Sequence, residues 1–437
     1  MTNGDIALLA WNDYVGLTRC RGIPAGMVAN RLVTGLGWSV SGQALTPFGD
    51  IAPNPWGPTS EVRQIPVEDS AVRVDIWPDA PAFHKYLCDT KTADGTDWDC
   101  CTRAFMRHAM DDLRSETGLE FMAAFEHEFL LQSDGLPAGA AFSLEAMRNA
   151  AQFTSDLCRA LQEAGLDPET IEPEYGVRQY EVTVAPAVGP TAGDRAIIAR
   201  ELIREVARRR GMRACFSPKP SLLGVGNGSH VHFSLVDSDG RNATFDQREP
   251  TGTSKVAQHF IGGVLRHIHA LTALTAPSPV SYLRLGPQHW SCGYASFGIQ
   301  NREAAIRVCP STEIDPDKKA RGFNLEFRPP DPTASPYIVL GALIRAGLEG
   351  IRDQLPLPAI CEGDPADLTE EERAVLGITP LAASFEQALS AFEMDQVART
   401  WMPPQMLESY LSVKRTELEI TRSMSPEAVC EMYASVY

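Results

Sequence analysis

The chain has 437 residues, of which 44% are hydrophobic and 22% charged, a composition typical of soluble globular proteins. This length predicts two domains rather than one small core. With 39 basic and 56 acidic side chains the formal net charge is −17, which argues against sequence-independent binding to nucleic acid.

Cysteine usage and hydropathy bear on the compartment. The ten cysteines are scattered and include no C-x-x-C pair, which favours reduced thiols over a disulfide framework. The N-terminal segment lacks a basic region followed by a long apolar run, and no apolar stretch reaches the roughly 20 residues that a membrane span needs. We therefore expect a cytoplasmic protein that does not associate with a membrane.

Strand signals dominate the first 90 residues. Residues 6–11 are predicted as a strand, residues 13–16 as a turn, and residues 72–76 alternate like a half-buried strand. The polar segment 89–99 is predicted as a linker. We therefore expect an N-terminal domain over residues 1–95 and a second domain over residues 96–437.

The second part mixes helices with strands. Apolar residues three to four apart predict helices over residues 142–165, 191–211, 255–276, 336–354, 384–395 and 404–423. In the second of these, Thr191 is predicted to cap the helix and Asp194 to complete a capping box.

Four predicted strands alternate apolar residues with ionisable ones, over residues 121–131, 179–184, 230–235 and 324–328. Strand residues two apart share a face, so each segment presents one apolar face and one face of carboxylate, imidazole or guanidinium. An ordinary solvent face would carry Lys, Thr and Ser instead. Taken singly, each segment also fits a plain surface strand, and a single His-x-His also fits a structural pair.

Clustered carboxylates raise one another's pKa unless a cation neutralises them. Oxygen-rich sites with one imidazole suit Mg²⁺ or Mn²⁺ rather than structural zinc. Two such ions with nearby arginines suit phosphoryl transfer. The four strands therefore predict a divalent-metal site, although their spacing alone does not establish that they converge.

Six segments, in chain order, resemble the motifs of the glutamine synthetase family. FEHEF at 125–129 resembles the family's E-x-E strand, EYGVRQYE at 174–181 its E-[WY]-G-P-G-Q-x-E segment, and FSPKP at 216–220 its F-M-P-K-P motif. GNGSHVHFSL at 226–235 is similar to G-S-G-x-H-x-H-x-S-L, and NREAAIR at 301–307 to N-R-x-x-x-x-R. EFRPPD at 326–331, followed by Pro336 and Tyr337, resembles E-x-R-x-x-D…P-Y, so the resemblance covers essentially the whole chain.

This resemblance implies an α+β fold, with an N-terminal β-grasp domain and a C-terminal catalytic domain built on a curved antiparallel sheet. It also implies a homo-oligomer, a double-ring dodecamer with active sites between subunits. The implied ligands of one metal are Glu128, Glu174 and Glu181, and those of the other are Glu126, His230 and Glu326. The implied substrate-binding residues are Gly226, Arg284, Arg302 and Arg328, and Arg302, Arg328 and Glu326 would be catalytic. The residues implied to face ATP are His232, Ser234, Arg307 and Arg321.

The implied reaction joins L-glutamate to a small amine at the expense of ATP, with Mg²⁺ or Mn²⁺ as the metal. The γ-carboxylate of glutamate attacks the γ-phosphate of ATP, which gives γ-glutamyl phosphate and ADP. The amine then displaces phosphate. Metals and arginines would offset the mutual repulsion of the two anions.

One departure from the family bears on the amine. Ammonia-using members carry a glutamate six residues after the glutamate-binding arginine, and counting six from Arg284 reaches Trp290. The family's Asp-Gly-Ser-Ser element is not visible either, and segments 41–43 and 49–51 are imperfect replacements. We therefore expect Trp290 to line the amine site and an organic amine to be preferred over ammonia.

Two further departures concern the backbone and the nucleotide side. Arg178 replaces the glycine before Gln179, which predicts a different backbone there. Asn324 occupies a position where a basic residue is common, and Arg321 is expected to substitute for it.

Three alternative functions remain at this stage. One is a plain ammonia-using glutamine synthetase, and another is a non-catalytic structural or sensory relative, which the six filled ligand positions disfavour. An iron oxygenase based on His230 and His232 would not need Glu126, Glu174 or Glu181. The identity of the amine stays open among alkylamines, polyamines, ethanolamine and aromatic amines.

Residues 374–378 contain no tyrosine, so control by adenylylation is not expected.

Overall fold

The computed structural model describes residues 5–287, 291–311 and 313–437. The N-terminal sheet contains six strands: β1 (Ile6–Asn12), β2 (Thr18–Pro24), β3 (Leu36–Ser39), β4 (Glu61–Pro66), β5 (Val72–Val74) and β6 (Phe83–Lys91). Their order is β2-β1-β6-β4-β3, with β5 beside β6, and helix α1 (Val28–Thr34) packs on β4. β1 and β6 run parallel and the other pairs are antiparallel. The strand predicted over 6–11 is confirmed, and the one predicted over 72–76 ends earlier, at Val74.

The segment predicted as a linker is ordered. β6 continues to Lys91, the Thr92 backbone N–H donates to Thr96 O at 2.9 Å, and Lys91 pairs with Asp97 in an isolated bridge. Trp98 is buried just beyond this turn. The segment is therefore a tight, hydrogen-bonded turn rather than a flexible linker. The position at which the first domain ends stays a prediction.

The second sheet contains ten strands. These are β7 (Glu120–Gln132), β8 (Pro168–Pro173), β9 (Gln179–Val184), β10 (Ala187–Val188), β11 (Arg213–Cys215), β12 (Val231–Val236), β13 (Tyr294–Ile299), β14 (Ala304–Val308), β15 (Leu325–Phe327) and β16 (Thr379–Pro380). Their order is β16-β13-β14-β15-β12-β7-β9-β8, with β10 and β11 also paired to β7. The curled, mainly antiparallel sheet of the α+β prediction is confirmed, and β13–β14 is a parallel exception.

The C-terminal part of the chain also contains helices, of which the one over Pro190–Arg209 packs on β7. They are α2 (Thr102–Thr117), α3 (Leu144–Asn149), α4 (Ala151–Glu163), α5 (Pro190–Arg209), α6 (Lys255–Arg266), α7 (Ile268–Thr275), α8 (Ser281–Arg284), α9 (Pro316–Gly322), α10 (Pro336–Arg352), α11 (Glu370–Leu376), α12 (Phe385–Met394), α13 (Pro404–Thr421) and α14 (Pro426–Val436). Short 3₁₀ helices occur at Ala25–Met27, Val40–Ala44, Glu68–Ser70, Pro365–Asp367 and Ala398–Thr400. In the described ranges, the helices are too short or too polar to cross a membrane.

Two long predicted helices are interrupted. The helix predicted over 142–165 breaks at Ala150, between α3 and α4, and the one predicted over 255–276 breaks at His267, between α6 and α7. His267 Nδ1 lies 2.7 Å from Asp395 Oδ2, a partner 128 residues away in the chain. A tertiary contact at the break is invisible to local periodicity, which explains the second error.

The predicted capping box of α5 is wrong. The helix begins at Pro190, its cap residue is Gly189 with φ of +69°, and no side chain caps it. Asp194 binds Arg103 instead, through Nε–Oδ1 and Nη2–Oδ2 contacts of 2.9 and 2.8 Å, and both residues are buried. Proline fixes the first helical φ without needing a capped N–H, so Asp194 is available for this ion pair.

The central strand β7 explains how the sheet presents the polar residues. Phe121, Phe125 and Phe129 are buried on its core side, where the sheet meets α5. Ala123 and His127 lie on this same buried face, whereas Glu126 and Glu128 point to the opposite face because strand side chains alternate. A strand buried on one side thus displays its carboxylates on the other.

Candidate active site

Four strands bring the ionisable residues onto one face. In the sheet register Glu128 of β7 faces Glu181 of β9, and His232 of β12 faces Glu326 of β15. β7 lies between β9 and β12, so the polar faces of these strands are contiguous. The convergence that spacing alone left open is therefore present.

His230 lies at the centre of this cluster. Its Nδ1 is 3.1 Å from Glu126 Oε2, 3.5 Å from Glu326 Oε1 and 3.8 Å from Glu128 Oε1. Ligand atoms of Glu126, Glu181 and His230 all lie within 4.8 Å of one another. The same limit holds for Glu172, Glu174 and Glu181. All six residues predicted as metal ligands thus lie in one cluster, and Glu172 joins them.

Repulsion among the carboxylates is strongest on the β8–β9 side. Burial, followed by Glu126 and Glu128, holds the pKa of Glu181 well above its usual range. Burial, with additional repulsion from Glu128 and Glu172, raises the pKa of Glu174 to about 7. A divalent cation would relieve this repulsion, and carboxylate oxygens with one imidazole are the donors that Mg²⁺ and Mn²⁺ accept. The donor set therefore fits such a cation.

The β12–β15 side has the opposite electrostatic character. Burial would raise the pKa of Glu326, but Arg328 and then His230 lower it, and both Arg307 and Arg328 donate to its carboxylate. Burial would likewise raise the pKa of Glu126, but His232, at 2.8 Å, holds it well below its usual range. The pKa values of Glu126 and Glu326 are thus lowered, whereas those of Glu174 and Glu181 are raised.

Two buried guanidinium groups border the cluster. Arg284, at the end of α8, donates to Pro329 O at 3.0 Å and to Arg328 O at 3.2 Å, and its Nη2 lies 3.1 Å from His230 Nε2. Arg328 follows β15 and contacts Glu326. Guanidinium groups suit bidentate binding of carboxylate and phosphate, so this arrangement can bind anionic substrates.

Glycines allow the loop before β12 to approach these groups. A Cβ at Gly228 would lie 2.6 Å from Arg284 Nη2 and 2.7 Å from His230 Nε2. A Cβ at Gly226 would lie 2.7 Å from Arg284 Cγ. Gly228 N also donates to Glu128 Oε2 at 2.8 Å. Glycine is therefore required where the loop meets the cluster.

Four residues with predicted site roles lie apart from this cluster or outside the described ranges. Ser234 is buried and its Oγ donates to Phe323 O at 2.9 Å, so the hydroxyl is directed to the backbone rather than to a ligand. Arg302 is exposed in the turn between β13 and β14 and makes no ion pair with a carboxylate of the described ranges. Arg321 is exposed near the end of α9. Trp290 lies outside the described residues.

Two departures from the family have local consequences. Arg178 adopts a φ of +60°, a backbone conformation that glycine favours. The prediction of a different backbone conformation at this position is therefore wrong, because the arginine keeps the conformation typical of glycine. Asn324 Oδ1 lies 2.8 Å from His232 Nδ1, whereas Arg321, expected to substitute at this position, faces solvent. The side-chain amide of Asn324, rather than a basic side chain, therefore contacts His232.

Three residues near the cluster were not predicted as site residues. Glu172 precedes Glu174 by two positions, and Gln179 Nε2 donates to Gly226 O at 2.8 Å and contacts Glu128 Oε2 at 3.3 Å. Cys309 Sγ lies 3.9 Å from Glu326 Oε2. Period-two spacing from Glu174, and from Arg307 to Cys309, would have identified Glu172 and Cys309.

Comparison with known proteins agrees with the geometry. A family model of the glutamine synthetase N-terminal domain matches residues 5–98, and the model of the glutamine synthetase catalytic domain matches residues 99–433. The chain is 32% identical to gamma-glutamylpolyamine synthetase GlnA3 of Streptomyces coelicolor, over 98% of this chain and 93% of the relative. It is 29% identical to glutamine synthetase of Pyrococcus furiosus, over 90% of this chain and 85% of the relative.

A solved structure extends the comparison to the fold. The crystal structure of a novel glutamine synthase homologue matches with a TM-score of 0.92 and 40% identity, covering 100% of this chain and 99% of that one. The two family models together span residues 5–433, and the fold match to this solved structure agrees with them. The chain therefore belongs to the glutamine synthetase family and is a ligase of that family.

Proposed function

We propose that this enzyme joins the γ-carboxylate of L-glutamate to an organic amine in preference to ammonia. The observation that carries the preference is tryptophan at position 290, six residues after Arg284. Ammonium is small and strongly hydrated, so its capture needs anionic groups that replace water, and this position lacks a carboxylate. An indole instead stabilises an organic cation and packs against carbon. Similarity to a gamma-glutamylpolyamine synthetase supports this direction.

The metal ligands are proposed to divide into two sets. One cation, Mg²⁺ or Mn²⁺, would be held by Glu128, Glu174 and Glu181, and the second by Glu126, His230 and Glu326. The short separations within the cluster and the raised pKa of Glu174, about 7, support this assignment. When bound, the cations supply the charge neutralisation that phosphoryl transfer requires.

The substrates are proposed to bind around the arginines. Arg284 and Arg328 would hold glutamate and the transferring phosphate, and the Gly226 backbone would contact glutamate. His232, Ser234, Arg307 and Arg321 retain their proposed place on the ATP side, although the buried Ser234 hydroxyl and the exposed Arg321 would have to reorient. The exposure of Arg302 supports contact with a bound ligand rather than a packing role.

The proposed reaction has two steps. A γ-carboxylate oxygen of glutamate attacks the γ-phosphorus of ATP, the bond to the bridging oxygen breaks, and ADP leaves. The neutral amine then attacks the acyl carbon, the carbon–oxygen bond to phosphate breaks, and the amine proton passes to a base or to water. The guanidinium groups of Arg284 and Arg328 offset the charge of the two approaching anions.

We also propose a double-ring dodecamer with active sites at subunit boundaries. Val177 and Leu223, in the two loops beside Glu174 and Gly226, are 62% and 100% exposed. Exposed apolar side chains this close to a site support coverage by a second copy of the chain. Sedimentation should find the activity in the oligomer, and a fully active monomer would refute this assignment.

The function is tested with a panel of amines. Enzyme, ATP, glutamate and Mg²⁺ are combined with ammonia, methylamine, ethanolamine, putrescine or aniline, and phosphate release and product mass are measured. We expect kcat/KM to be higher for an organic amine than for ammonia. If ammonia is favoured tenfold, a preference of about 1.4 kcal/mol in the wrong direction, the amine assignment fails.

A further inference from the structure

One buried hydroxyl ties the segment that follows α8 to the segment that precedes β13. Ser291 is 2% exposed, and its Oγ donates to Arg284 O at 3.0 Å, with Gly286 O also within reach at 3.2 Å. The Gly286 N–H donates to the same Oγ at 3.3 Å. The backbone that carries the Arg284 side chain is therefore fastened to residue 291.

The backbone of Ser291 contacts the second buried arginine. Arg328 Nε donates to Ser291 O at 3.4 Å, and Arg284 Nη2 donates to Arg328 O at 3.2 Å. Ser291 thus contacts both arginines, one through its hydroxyl and the other through its carbonyl. The three residues form a closed set of hydrogen bonds at the border of the carboxylate cluster.

We propose that Ser291 is a positioning residue that holds Arg284 and Arg328 in place to bind glutamate. This inference rests on the proposed function, because it takes these two arginines as the residues that bind glutamate. Ser291 lies outside the six segments that resemble the family motifs, so the resemblance assigns it no role. It acts through the arginines and does not itself touch the substrate.

The two arginines need such a support because their orientation matters. A planar guanidinium binds a carboxylate through two parallel hydrogen bonds, so a small rotation breaks one of them. Arg284 donates to Pro329 O at 3.0 Å, which holds the guanidinium end, whereas the Ser291 hydroxyl holds the backbone end of the same residue. A displacement of about 1 Å in a positioning group can cost about 100-fold in rate.

The role of Ser291 depends on its hydroxyl rather than on its volume. A hydroxyl supplies one donor and two acceptor lone pairs, which suits a position between the Arg284 carbonyl and the Gly286 N–H. Alanine would keep most of the packing but leave both backbone groups without this partner. The segment over residues 284–286 would then shift to satisfy them and would carry the Arg284 side chain with it.

The test compares Ser291→Ala with Ser296→Ala. Ser296 lies on β13 and is also 2% exposed, but its Oγ has no hydrogen-bond partner within the ranges that the structure describes. Each variant removes one buried hydroxyl, and only Ser291→Ala breaks hydrogen bonds. Glutamate binding is measured by isothermal titration calorimetry with Mg²⁺ and a non-hydrolysable ATP analogue. The KM values for glutamate and for ATP are measured with the best amine of the panel.

We expect Ser291→Ala to bind glutamate about tenfold more weakly than the wild type, or by about 1.4 kcal/mol, and to raise the KM for glutamate alike. The KM for ATP should stay unchanged, and Ser296→Ala should match the wild type in every readout. A serine with a purely structural role would lower the unfolding temperature and change both KM values together. An equal rise in both KM values, or equal glutamate binding by the two variants, would overturn the proposal.

Failure of this inference is distinguishable from failure of the proposed function. A wild-type enzyme that neither binds glutamate nor releases phosphate with any amine would refute the proposed function itself. An active wild type with normal glutamate affinity in Ser291→Ala would overturn only the role of Ser291. If Ser291→Ala does not fold, Ser291→Cys replaces it, because a thiol fills the site but forms only weak hydrogen bonds. This variant should also raise the KM for glutamate alone, and an unchanged KM would overturn the proposal.

Discussion

Replacing Glu174 with Gln should stabilise the metal-free protein and weaken its metal binding. The carboxylate lies within 4.8 Å of ligand atoms of Glu172 and Glu181, and its pKa is raised from 4.5 to about 7, first by burial and then by neighbouring carboxylates. This rise corresponds to about 3.4 kcal/mol at about 1.36 kcal/mol per pKa unit. Because the side chain is only partly buried, solvent screening reduces the effect to about 1–2 kcal/mol.

The sign of the pH dependence follows from the raised pKa of Glu174. Below pH 4.5 the group is protonated in the folded and unfolded states alike, so it does not affect stability. As the pH rises from 4.5 to about 7, the unfolded chain ionises first and the metal-free fold loses stability. Metal binding reverses this penalty and releases protons, so Mn²⁺ should bind more tightly at pH 8 than at pH 6.

The assay combines thermal unfolding with Mn²⁺ titration. Glu169→Gln is the control, because Glu169 is an exposed residue of β8, the strand that ends just before Glu174. At pH 8 the metal-free Glu174→Gln protein should unfold at a higher temperature than the wild type, and its Mn²⁺ affinity should fall at least about tenfold, or about 1.4 kcal/mol. The control should match the wild type in both respects. Unchanged Mn²⁺ affinity together with unchanged metal-free stability would refute the reasoning.

Three further predictions concern the remaining parts of the site. Glu326→Gln should abolish phosphate release yet leave the oligomer assembled on size exclusion, because it removes a ligand charge but keeps the side-chain shape; near-normal turnover would contradict the metal role. Gly228→Ala should lower kcat/KM by about 100-fold, since its Cβ would lie 2.6 Å from Arg284 Nη2, whereas Gly135→Ala, with open space at the Cβ position, should be silent. Equal kinetics for the two variants would count against the crowding argument. Trp290→Glu should shift the ratio of kcat/KM values toward ammonia, and no shift would mean that this residue does not line the amine site.

Period-two alternation predicted the polar face of the sheet correctly. On β7 the buried residues Phe125 and Phe129 alternate with Glu126 and Glu128, and a strand buried on one face has no freedom to place them otherwise. The order of the motifs identified the family, and the family matches agree over residues 5–433. Local pattern and global fold are consistent here, as expected for a stable fold.

Side-chain direction was less predictable than backbone periodicity. Ser234 lies two residues from His232 on the same strand, yet its hydroxyl bonds to Phe323 O, an acceptor 89 residues away. Asp194 had the spacing of a capping residue but pairs with Arg103, 91 residues away. The hydrogen-bond partners of these side chains come close only after the chain has folded, so spacing within one segment does not predict them.

The most direct test of the central claim follows the oxygen atoms of glutamate. Glutamate labelled with ¹⁸O in its γ-carboxylate is incubated with the enzyme, ATP, Mg²⁺ and the best amine of the panel, and the released phosphate is analysed by mass spectrometry. Attack of the γ-carboxylate on ATP, followed by displacement by the amine, predicts that each phosphate carries one oxygen from glutamate. Phosphate that forms in step with the γ-glutamyl amide but carries no ¹⁸O would contradict the account.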